Sequence, residues 1–320
     1  MLLLEGLQGP ADFLQFSPDG ATLLSAGTYG TGVRLWDLTS GKLRGILQPK
    51  QHRDPVRSLL LSPDGTRLVV GNVLWDLQAR EILCRLEELP TGPRLLFSPD
   101  SQTLAGLPET NLETLRGHSW PVMKWDARTG QPPTPSELIR IKSGRDVLAF
   151  SPDGHTLATA SSRGADIGLY DLATGTEIIA VSSESCTSKK GRYLLGNKAA
   201  FSPDLKSLAI LRTEATLRMP IWSGNETSRV FLYDVATAQQ RVTLSGHRMN
   251  ITSLAFSPDS RTLATASLDG LVKFWDVTTG KEFAGFDWRL GRLYSVAIAP
   301  DGMRAAVGGK NQVIIWDVDS

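Results

Sequence analysis

The chain has 320 residues, with 34 Lys and Arg against 33 Asp and Glu, a net charge of +1 and 21% charged residues. That balance leaves no global field to gather nucleic acid or an anionic membrane, so partners must be recognised locally. Two cysteines, Cys84 and Cys186, give no disulfide framework, and the opening Met1-Leu2-Leu3-Leu4, followed at once by Glu5-Gly6, is too short for a secretory leader or a membrane span; a reducing cytoplasm is the expected setting.

The first apolar run is Leu2 to Leu4. Four short runs follow, Asp12 to Phe16, Thr22 to Ala26, Val33 to Leu38 and Lys42 to Leu47, punctuated by Ser17-Pro18-Asp19-Gly20 and by Trp36-Asp37. Short β-branched and apolar runs broken by Pro, Asp and Gly read as an antiparallel meander. A Ser-Pro-Asp turn or close variant recurs at Ser17, Ser62, Ser98, Ser151, Ser202, Ser257 and Ala299, spaced 45, 36, 53, 51, 55 and 42 residues apart. An aromatic-Asp pair follows each: Trp36-Asp37, Trp75-Asp76, Trp125-Asp126, Tyr170-Asp171, Tyr233-Asp234, Trp275-Asp276 and Trp316-Asp317. The second unit, His52 to Leu86, is the shortest, with almost no turn in Val70-Gly71-Asn72-Val73. The third carries an insertion, 108–121, between its second and third strands; the segment 182–195 separates the fourth unit from the fifth; and the fifth has its own insertion, 213–228. The sixth, Gly246 to Gly285, holds every recurring element in one stretch. The seventh stops at Trp316-Asp317-Val318-Asp319-Ser320, the end of a third strand.

Seven repeats in strict alternation resemble the WD-repeat family of β-propellers, and the regular Phe-Ser-Pro-Asp-Gly turns resemble its bacterial members. The expected fold is all-β: one domain over 1–320, a seven-bladed propeller of four-stranded antiparallel blades. Leu2 to Leu4 supplies the strand that the last repeat lacks, closing the ring and removing a free sheet edge. The resemblance implies that a third-strand Trp is bonded to a second-strand Ser or Thr, to the His of a Gly-His pair and to an Asp of the next tight turn. The matching residues are Trp275, Thr265 or Ser267, His247 and Asp269, a full set in the sixth repeat alone. The five third-strand tryptophans read as core, each burying roughly 150–250 Å², worth at most about 4–6 kcal/mol. The turn aspartates read as turn chemistry rather than catalysis.

Strand direction alternates along a meander, so all three insertions emerge on one face, over consecutive blades three to five. Connections of about 14–16 residues exceed the usual length and are more often functional than neutral. Their interface-prone residues make them the candidate partner surface: Arg116, His118 and Trp120; Lys189, Lys190, Arg192 and Tyr193; Arg218, Met219 and Trp222. No nucleophile elbow or phosphate-binding loop occurs, and His52, His118, His155 and His247 lie in separate repeats without ligand spacing. The chain therefore reads as a cytoplasmic, non-catalytic scaffold for a protein or peptide, without cofactor, metal, nucleic acid or membrane, and as a monomeric propeller within a hetero-complex. The alternatives are a sensor subunit of a larger signalling or effector assembly, or a propeller hydrolase or lyase.

Overall fold

Short apolar and β-branched runs, most of three to seven residues and punctuated by Pro, Asp or Gly, are too short for amphipathic helices, and in the computed structural model of the chain they pair as strands. The structure describes residues 1–7, 9–28, 32–48, 56, 58–86, 95–106, 120–131, 139–141, 145–161, 167–181, 191–216 and 227–318. Strand β1 is Leu2–Glu5. Blade one is β2 (Phe13–Phe16), β3 (Thr22–Ala26), β4 (Val33–Asp37) and β5 (Lys42–Leu47). Blade two is β6 (Leu59–Leu61), β7 (Arg67–Val70), β8 (Val73–Asp76) and β9 (Glu81–Arg85). Blade three is β10 (Leu95–Phe97), β11 (Thr103–Gly106), β12 (Trp120–Asp126) and β13 (Ile139–Ile141). Blade four is β14 (Arg145–Phe150), β15 (Thr156–Ser161), β16 (Ile167–Asp171) and β17 (Glu177–Val181). Blade five is β18 (Gly191–Phe201), β19 (Ser207–Thr216), β20 (Thr227–Asp234) and β21 (Gln240–Leu244). Blade six is β22 (Ile251–Phe256), β23 (Thr262–Ser267), β24 (Val272–Asp276) and β25 (Glu282–Phe286). Blade seven is β26 (Ser295–Ile298), β27 (Arg304–Gly308) and β28 (Gln312–Asp317), completed by β1, with Leu2 opposite Ile315 and Glu5 opposite Gln312. These are seven four-stranded antiparallel sheets, and the seventh joins the two ends of the chain, as the repeats require. Among the described residues no helix is long and apolar enough to cross a membrane.

The blades interlock through their third-strand aromatics, each of which packs on the preceding blade. Trp36 lies with Leu4, Ala299 and Ile315 of blade seven, and Trp316 with Ala264, Val272 and Phe274 of blade six. All seven aromatics are 5% exposed or less, so they form the core rather than stacking ligands.

The first turns repeat one solution. Each Asp carboxylate accepts the backbone N–H two residues on, from Ala21 to Asp19 through to Met303 to Asp301, both 2.9 Å. The next residue has a left-handed backbone in all seven, with Gly in four and Ser101, Leu205 or Ser260 in the others. Ser101 and Ser260 use their hydroxyls to accept the N–H of Asp64 and Asp204 in the preceding blades, at 3.0 and 2.9 Å. Leu205 carries the same conformation, costing about 1–2 kcal/mol, without such a bond.

The third-to-fourth turns fit the neighbouring blade by complementary size. A Cβ on Gly280 would stand 1.9 Å from Val242, and one on Gly130 2.0 Å from Cys84. In blade two Arg80 fills the corresponding place, and the preceding blade answers with Gly45, whose Cβ would lie 3.2 Å from the Arg80 guanidinium.

The inserted segments are shorter than the sequence implies, because strand residues occupy their ends. Trp120 and Pro121 pair with Ile141 and Arg140 inside β12. Blade five extends as a three-stranded ribbon, with Gly191–Leu194 paired to Thr216–Thr213 beyond a register shift, and Thr213 and Glu214 paired to Ser228 and Thr227. Continuing the ladder satisfies backbone N–H and C=O groups that a loop would have to expose.

Removing residues 1–6 opens the seventh sheet and uncovers the core that the fully buried Leu4 covers, Trp36 and Ile315 among it. The thermal midpoint is expected to fall by about 5–10 °C in one cooperative transition; calorimetry showing an unchanged midpoint contradicts closure through β1.

Candidate functional site

Alternating strand direction sorts the connections. First-to-second and third-to-fourth turns lie at one end of the blades; second-to-third turns and blade-to-blade connections lie at the other. Among the described residues the first end carries tight, internally bonded turns. Asp37 accepts the N–H groups of Thr39 and Ser40, and Asp276 that of Thr279. These bonds hold both carboxyls below their ordinary value. These aspartates shape turns, and none is posed for catalysis.

The other end holds the polar core of blade six. With the His247 ring neutral, one chain of bonds closes. Trp275 Nε1 donates to Thr265 Oγ1 (2.8 Å), Thr265 Oγ1 donates to His247 Nε2 (2.8 Å), and His247 Nδ1 donates to Asp269 (3.0 Å). Burial lowers the His247 pKa, and the Asp269 carboxylate opposes this without reversing it. Burial works to raise the Asp269 carboxyl, yet the N–H groups of Arg248 and Leu271 and the His247 ring bring it below its ordinary value. Ser267 stands outside the chain and ties backbone, accepting Asp269 N (3.1 Å) and donating to Met249 O (3.1 Å).

Register explains why this chain is rare. Trp275 faces Leu263, and the residue two further along the second strand, Thr265, supplies the hydroxyl. In blade one Trp36 faces Leu23, and Ser25 does the same at 2.8 Å. In blades two and seven that position is Val70 or Val307, and the buried Nε1 atoms of Trp75 and Trp316 have no partner among the described residues. In blade seven Trp288 covers the indole instead, its ring centroid 4.3 Å from that of Trp316. His52 of blade two lies outside the described residues. Among the described residues no group of His, Cys, Asp and Glu is placed to hold a metal.

Of the candidate partner residues, Arg116, His118, Lys189, Lys190, Arg218, Met219 and Trp222 lie outside the described residues. Trp120, Arg192 and Tyr193 are strand positions, in β12 and β18, rather than loop positions. The segments 107–119, 182–190 and 217–226 leave from strand ends of one parity, so their anchors share the end opposite the Ser-Pro-Asp turns. The ribbon of blade five projects at this same end, with four extra residue pairs, or about 13 Å of strand. Four cations of the same end, Arg248, Arg289, Arg292 and Lys310, escape a motif search because each stands in a short connection. Parity is the one sequence signal that groups them.

Seven sheets, a closed ring and the Trp-Thr-His-Asp chain define the class: a seven-bladed β-propeller with repeats of the WD type. Residues 238–276 match the family of the WD domain, G-beta repeat. The chain is 25% identical over 286 residues to the WD repeat-containing protein WDS homolog of Arabidopsis thaliana, covering 85% of this chain and 48% of that protein. It is 30% identical over 159 residues to the small ribosomal subunit protein RACK1y of Oryza sativa subsp. japonica, covering 48% and 45%. It is 26% identical over 268 residues to the guanine nucleotide-binding protein subunit beta of the same rice, covering 80% and 64%. The chain thus spans between about half and two thirds of the length of these relatives. They are eukaryotic proteins, which gives no support to the bacterial likeness read from the turns.

Supplying the missing acceptor tests the register rule. A buried Val→Thr change ordinarily costs about 1–2 kcal/mol. Val70→Thr is expected to cost nothing or to stabilise by up to about 1 kcal/mol, because Trp75 Nε1 gains a partner. Urea unfolding reads the difference, and a full-sized loss contradicts the rule.

Proposed function

We propose that the chain is a non-catalytic scaffold that binds a protein or peptide on the end carrying the segments 107–119, 182–190 and 217–226. The observation that carries this reading is the three-stranded ribbon of blade five, which extends the sheet at that end, while the Ser-Pro-Asp-type turns of the opposite end are tight. A hydrogen-bonded ribbon beside long connections offers ordered backbone to a partner at low ordering cost. Arg116, His118, Trp120, Lys189, Lys190, Arg192, Tyr193, Arg218, Met219 and Trp222 remain the candidate contacts. Residues 1–320 act as one propeller domain, working in the cytoplasm as a single copy inside a hetero-complex, without cofactor or catalytic centre. One relative is named as a small ribosomal subunit protein and another as a guanine nucleotide-binding protein subunit. That supports assembly as the role and keeps a second reading alongside it, a regulatory subunit of a larger signalling assembly.

The test compares affinity capture by the intact chain and by the variant Arg116→Ala, Arg218→Ala, Trp222→Ala, after matching their thermal midpoints. A partner kept by the first and lost by the second is the expected result. Equal retention moves the site to another surface.

A further inference from the structure

Beyond the insertions, the same end of the propeller carries a basic surface over blades six and seven. We propose that it binds an acidic peptide segment, an inference that rests on the scaffold reading and names the chemistry of its partner.

Its four cations stand on loops that touch one another. The Arg248 N–H donates to Asp269 (2.8 Å), fixing the first to the turn at 268–271. That turn meets the connection bearing Arg289 and Arg292: Leu293 N donates to Ser267 O (3.2 Å), and a Cβ on Gly270 would stand 3.0 Å from Gly291 O. Leu290 of the same connection packs under Gly309, where a Cβ would lie 3.3 Å away, and Lys310 follows directly. Arg248, Arg289, Arg292 and Lys310 are all exposed, and among the described residues none forms an ion pair. The acids on and beside these loops are hydrogen-bonded. Asp269 holds His247 and the N–H of Arg248, Asp287 accepts Arg289 N (2.8 Å), and Glu5, at the end of β1, accepts the Gln312 amide (3.4 Å).

The arrangement is built before any partner arrives. Arg289 has a left-handed backbone, φ 57°, held by the Asp287 bond and followed by Gly291 at φ 70°. Rigid loops lower the ordering cost of binding. The charge distribution chooses the partner class. Net charge is +1, and the fourteen aspartates of the seven Ser-Pro-Asp-type turns and seven aromatic-Asp pairs stand at the opposite end, so the basic surface is local. A long polyanion or a membrane would feel those carboxylates as well, whereas a short acidic peptide samples only about one Debye length, ~10 Å.

The probe is a fluorescein-labelled twelve-residue peptide of alternating Glu and Ser, read by anisotropy at about 0.1 M salt. Its comparators are the Gln counterpart, a twelve-residue oligothymidylate and phosphatidylserine vesicles. The Glu peptide is expected to bind, the Gln peptide not. Affinity should fall about tenfold in Arg248→Ala, Arg292→Ala, Lys310→Ala and stay unchanged in Arg261→Ala, Lys281→Ala at the opposite end. Arg292→Glu alone, an exposed change outside any strand, should weaken binding in the same direction. Failure of the Glu peptide to bind, equal affinity in the triple variant, or tighter binding of the oligonucleotide or vesicles overturns the proposal. If capture still depends on Arg116, Arg218 and Trp222, only the acidic-peptide inference falls.

Discussion

The structure depends on the pairing of β1 with β28. A meander of identical sheets would leave one blade with a three-stranded edge and an exposed hydrophobic flank. Four residues from the start of the chain remove both, because they complete the sheet and bury Leu4 against Trp36 and Ile315. The seam is reinforced where blade seven meets blade one: Ser295 Oγ donates to Ala11 O, and the Arg304 guanidinium to Gly20 O at 2.8 Å. Closure ties local turns to a global constraint, since every blade then packs on a neighbour of fixed position.

That constraint explains substitutions within the repeats. Where Ser replaces Gly at a left-handed turn position, it gains a bond to the preceding blade; where Arg80 replaces Gly, the facing residue is Gly45. The Trp-Thr-His-Asp chain is one way to finish a blade, and it is not required in all of them. Blade seven finishes with Trp288 against Trp316, while Trp75 and Trp316 keep an unpaired buried N–H. Indole burial outweighs the cost of one orphan donor, about 1–3 kcal/mol.

Much of this was legible in the residues. Ser-Pro-Asp turns and aromatic-Asp pairs signal strand ends through local chemistry, so the seven blades and the shared seventh sheet could be read directly. The residues of the blade-six chain were matched through family resemblance, and the register of Thr265 with Trp275 shows why they meet. The edges of the insertions were not legible. Arg192-Tyr193-Leu194 and Thr213 to Thr216 look the same whether they extend a sheet or cross a loop, and only pairing decides. The four cations of blades six and seven carry no local signature, because their proximity is created by the packing of blade seven on blade six.

Closure also gives the two ends of the ring different roles. Tight aspartate turns secure one end, and the other is left to vary in length and charge. The most direct measurement of that account is hydrogen exchange of the intact chain, resolved to β1 and β28. Leu2–Glu5 amides engaged in the ladder are expected to exchange with the same slow, cooperative opening as the partnered amides of Gln312–Asp317. If they exchange like a free terminus while β28 stays protected, the ring is not held shut by its first strand, and the account fails at its base.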